Sequence, residues 1–172
     1  MLDPNTLIIR ITEMHQALAT LPVSGLDKAI TAALRYNDTQ ISTPRIKVLS
    51  NAEFVGVALS ALAHCSYYSS RTFCYPVLVI LRALHEKAQQ QNKQWASELT
   101  PWQESFPADM LPELIPYYSQ MSLCGLIGLI ATETREEDDE FIEWLHRSLM
   151  HICIFCYLRG IDLISDIRTA YQ

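Results

Sequence analysis

The chain has 172 residues, 49% of them hydrophobic and 19% charged, with a formal net charge of −6. That length suits one domain whose core needs no disulfide, and five glycines argue against a turn-rich all-β design. Thirteen basic against nineteen acidic residues leave no basic footprint for a nucleic acid.

The N-terminus opens with a helix signal: Asp3 as N-cap, Pro4 at the first helical position, then Leu7, Ile8, Ile11, Met14, Leu18 and Leu21 at helical intervals. Pro22, Ser24 and Gly25 end it, and a short helix from about Leu26 to Tyr36 follows. Residues 37–45 read as a loop. Ser50 and Glu53 form a capping box that opens a helix to about His64. A further helix is expected from about Arg71 to Gln94, with Pro76 marking a late start or a kink. Residues 95–112, with Trp95, Trp102 and Phe106, read as a connector packed on the body.

From Leu114 to Thr132 no residue is charged, a run of 19. Pro116, Ser119, Gln120 and Ser122 interrupt it, and its strongly apolar part spans only Leu123 to Ala131, so it reads as one buried helix and no membrane span is expected. An acidic turn, a helix from about Asp138 to Leu158 and a short helix after Asp162 complete the chain. The expectation is an all-α, single-domain helical bundle of about six to seven helices, with N-terminal helices in 1–94, the connector in 95–112 and a C-terminal unit in 113–172.

Several clusters invite a chemical reading. Glu133, Glu136, Glu137, Asp138, Asp139, Glu140 and Glu143 fall within eleven residues. Glu136, Glu140 and Glu143 share a helical face and supply the oxygen ligands that Mg²⁺ prefers. Against this, acids gather at helix N-termini because the helix dipole favours them there. Glu143 and His146 have the Glu-x-x-His spacing of helical di-metal sites, but the preceding helix offers no carboxylates to face them. His151, Cys153 and Cys156 form His-x-Cys-x-x-Cys; with no second pair, and inside an apolar helix, the thiols read as buried. The chain contains no nucleophile elbow and no glycine-rich phosphate cradle. No catalytic residue is assigned. Gly125 and Gly128 sit mid-helix, where glycine costs roughly 1 kcal/mol against alanine, and read as a close helix–helix contact, within the chain or across a dimer axis; Gly56 reads similarly.

The five cysteines, Cys65, Cys74, Cys124, Cys153 and Cys156, odd in number and set among apolar neighbours, fit a reducing compartment. With an acid at position 3, where a basic leader region belongs, the expected location is the cytoplasm.

Ser122-Leu-Cys-Gly-Leu-Ile-Gly-Leu-Ile-Ala-Thr132, the acidic turn, and the helix ending Tyr157-Leu-Arg-Gly-Ile-Asp-Leu-Ile-Ser-Asp-Ile167 resemble the core of the MazG-like family. The resemblance covers Leu114 to Gln172. It implies an all-α fold and assembly as dimers or tetramers; the family are Mg²⁺-dependent nucleoside triphosphate pyrophosphohydrolases. The family's Glu-Glu-x-x-Glu falls near Cys124, Gly125 and Gly128, without a carboxylate, and its Glu-x-x-Asp falls near Glu143 and His146, or one residue later at Trp144 and Arg147. Only Glu143 matches, and one acid cannot hold the metals that offset a triphosphate's charge. The expected function is therefore a non-catalytic interaction or regulatory protein, needing no cofactor, that self-associates or binds a protein partner. The alternative is a pyrophosphohydrolase whose Mg²⁺ is held by the displaced set Glu136, Glu140 and Glu143.

Overall fold

A computed structural model describes residues 3–21, 25–26, 28–30, 51–63, 70–90, 111–133 and 138–171. The fold is all-α and bundle-like, with no strand among the described residues. Seven helices carry it: α1 (Pro4–Ala19), α2 (Asn51–Ala63), α3 (Ser70–Gln90), α4 (Leu111–Gln120), α5 (Leu123–Thr132), α6 (Asp138–Leu158) and α7 (Leu163–Tyr171). Residues 26 and 28–30 are also helical, with the Ala29 N–H donating to the Gly25 carbonyl at 2.9 Å. The rest of the expected second helix, the loop at 37–45, Ser50 of the capping box and 95–110 of the connector lie outside the described residues.

Local chemistry sets the helix ends. Asp3 caps α1: its carboxylate accepts from the Thr6 N–H at 3.2 Å and the Thr6 hydroxyl at 3.1 Å, with Pro4 where a missing N–H costs nothing. Helix α6 stops at a Schellman turn. Gly160 takes a left-handed φ of 67°, the Ile161 N–H donates to the Cys156 carbonyl at 2.9 Å, and the Gly160 N–H to the Tyr157 carbonyl at 3.1 Å. Asp162 then starts α7 by accepting from the Ser165 N–H at 3.1 Å. The Gly-Ile-Asp-Leu sequence is thus a stop followed at once by a start, and it turns the chain through 108° between α6 and α7.

Helix α3 is the centre of the core. Phe73 to Leu84 are buried without interruption, Arg82 among them, as suits a helix at the centre of a bundle. It begins at Ser70, ahead of Pro76, so the proline sits inside the helix and does not delay its start. Helix α3 packs on α2, α6 and α7; α5 packs on α2 and α6; α1 lies on α6 and touches α4 and α7. Leu7, Ile11, Met14 and Leu18 form the buried stripe of α1, while Trp144, Leu145, Leu149 and Ile152 to Cys156 are buried on α6.

One expected element divides. The stretch 114–132 is two helices, α4 and α5, broken at Met121 and Ser122. Both sides of the break are satisfied. The Ser122 hydroxyl accepts from the Gly125 N–H at 3.1 Å and so starts α5. The Arg159 guanidinium takes the carbonyls that end α4, donating to Tyr118 at 3.4 Å and to Met121. Its plane lies 3.6 Å from the centroid of the Phe155 ring. Among the described residues no single helix is long and apolar enough to cross a membrane.

Candidate functional site

Helix α5 has no charged residue and is the most apolar of the helices, yet among its side chains only Leu126 and Ile130 are buried. Trp144 holds it to α6, its indole N–H donating to the Ile130 carbonyl at 2.9 Å while the ring stacks on Phe141. Leu123, Ile127 and Leu129 are half-buried, and Cys124, Gly128, Ala131 and Thr132 are exposed. Cys124, Gly128 and Ala131 follow one another at helical spacing and give this outer face a low, uncharged relief.

The glycines do not make the close contact expected of them inside the chain. Gly128 is two residues from both Leu126 and Ile130, which on a helix is the far side; a Cβ there would meet nothing within 4 Å. Gly56 is equally open. At Gly125 a Cβ would stand 3.0 Å from Met121 Cγ, so its neighbour is a side chain from its own break, not another helix backbone.

A buried polar chain pins the corner where α4, α5 and α6 meet. The Tyr118 hydroxyl and His151 Nδ1 are 2.5 Å apart, and His151 Nε2 lies 2.9 Å from a Glu133 carboxylate oxygen. Tyr118 and His151 are buried, whereas Glu133 is partly exposed. Burial, followed by the Glu133 charge, pushes the Tyr118 phenol well above its ordinary range, so it stays a neutral hydroxyl. Neither Tyr118 nor His151 can be reached by a substrate; the chain orients helices and gives Glu133 a fixed hydrogen-bond partner.

The acids proposed for a metal are not assembled by the described residues. Glu140 and Glu143 are exposed on α6, Glu136 lies outside the described residues, and Glu133 is turned to His151. The Glu143–His146 spacing also splits: Glu143 faces solvent, while His146 is buried against His15 of α1 with ring centroids 6.0 Å apart. Cys153 and Cys156 are buried and not joined in a disulfide, with burial raising the Cys153 thiol.

Sequence reasoning missed the Tyr118–His151–Glu133 chain, because its members stand 33 and 18 residues apart and no local spacing signals them. The one available hint was His151 itself, a polar ring in an otherwise apolar helix. Comparison of the chain with protein-family models, with curated proteins and with solved structures gives no match.

Proposed function

We propose that this chain is a non-catalytic association protein that pairs with a second copy of itself through the outer face of α5. The carrying observation is the character of α5: a wholly uncharged helix that buries Leu126 and Ile130, packs Leu123, Ile127 and Leu129 half-buried against the core, and leaves Cys124, Gly128 and Ala131 outside. Apolar surface gathered on one helix is the usual mark of a contact surface. A second copy is the fitting partner because an isologous contact sets a face against itself, and a face with no charge meets its own image without like-charge repulsion. Open backbone at Gly128 lets another helix approach closely.

Sedimentation velocity over a range of concentrations tests this reading, with Gly128→Glu as the probe. The Glu side chain has room in the monomer and replaces the poorest non-proline helix former, so the variant keeps its fold. Two such carboxylates facing each other should weaken association by on the order of 100-fold. A chain that remains monomeric at every concentration, or a dimer indifferent to the substitution, overturns the proposal.

A further inference from the structure

Among the described residues, three buried histidines stand in two kinds of surroundings. His151 faces the Glu133 carboxylate. His15 of α1 faces His146 of α6, and both are at most 3% exposed. Burial, and after it His146, bring His15 from the usual 6.5 down to about 3, and burial brings His146 down to about 4. Both rings are therefore neutral in the closed bundle.

Each described charged group on the surrounding elements has a contact or an exposure of its own. Arg10 and Glu13 of α1 pair with each other in solvent at 3.8 Å. Glu113 of α4, Glu140 and Glu143 of α6 and Arg168 of α7 are exposed, and Arg147 is half-buried. Asp166 of α7 acts on Cys74, Arg82 of α3 acts on His85, and Lys87 of α3 lies over the Phe141 ring.

We propose that α1 is a proton-released helix, detached from α6 by acid at the His15–His146 contact. Two imidazolium rings 6.0 Å apart repel each other, and each must also lose its water to stay buried. Opening the seam returns both rings to solvent, where they charge at ordinary pH. The open form thus binds more protons than the closed one, and opening grows as pH falls from about 6.5 toward 4, with little change above 7.

Amide hydrogen exchange on the full chain at pH 7 and pH 5, corrected for intrinsic rates, reads this directly. From pH 7 to pH 5 the opening constant of α1 should rise about 20-fold if one histidine takes up a proton and about 500-fold if both do. Protection of α3 and α6 should hold. In the double variant His15→Gln/His146→Gln the α1 response should vanish. Full protection of α1 at pH 5, simultaneous loss in α1, α3 and α6, or an unchanged response in the double variant overturns the proposal. If the double variant does not fold, the wild-type profiles of α1 and α3 decide alone.

Discussion

The Tyr118 hydroxyl points into the protein, and its value there can be measured. Tyr118→Phe removes the group that meets His151 Nδ1 at 2.5 Å and leaves that nitrogen buried without this partner. Urea unfolding at pH 7 should show a loss of about 1–2 kcal/mol; an unchanged midpoint would mean that the bond contributes nothing net. Thiols offer a second reading at the same scale. Cys74 is pushed up to about 12 by burial and then by Asp166, and Cys153 is raised by burial, whereas Cys124 is exposed. At dilutions that keep the chain monomeric, alkylation at pH 8 should modify Cys124 first among these three and reach Cys74 and Cys153 only after denaturation. The buried state of Cys153 was legible from its apolar neighbours; the partners of His151, contributed by other helices, were not.

Among the elements, the ends of α1, α6 and α7 were legible because each is written locally: Asp3 with Pro4, the acid-rich start at Asp138, and the break before Leu163. The division of 114–132 was not. Its sequence is apolar on both sides of Ser122, and what ends α4 there is a guanidinium from residue 159, 38 residues beyond Met121. Arg159→Leu strips α4 of these donors while keeping an apolar stem against Phe155. The expected cost is about 2–3 kcal/mol by chemical denaturation, since bonds to a charged donor are the stronger ones. The same variant should also weaken self-association, because α5 loses its fixed orientation. A variant as stable as the wild type would show that Ser122 alone holds the break.

For the molecule as a whole, helical periodicity and composition were enough to give the all-α class, whereas the arrangement of the helices was out of reach. Periodicity does not orient the middle of α3, because Phe73 to Leu84 are buried on every side, Arg82 included, and no solvent-facing side marks that stretch. The side that Gly128 occupies was out of reach for a related reason: it sits in an apolar run, and its spacing from Leu126 and Ile130, not hydrophobicity, decides that it faces away from them. The exposed acids of α6 show the same limit, since Glu140 and Glu143 share a helix face but that face meets water.

The clamp at the α4–α5 break carries a consequence for synthesis. A ribosome adds Arg159 only after both of those helices have been made, so an emerging chain first holds 114–132 without the guanidinium that bends it. The corner is set when α6 is complete. Neighbouring unfinished chains on one messenger therefore lack the shaped surface by which finished ones are proposed to meet, and pairing waits until each molecule is able to fold.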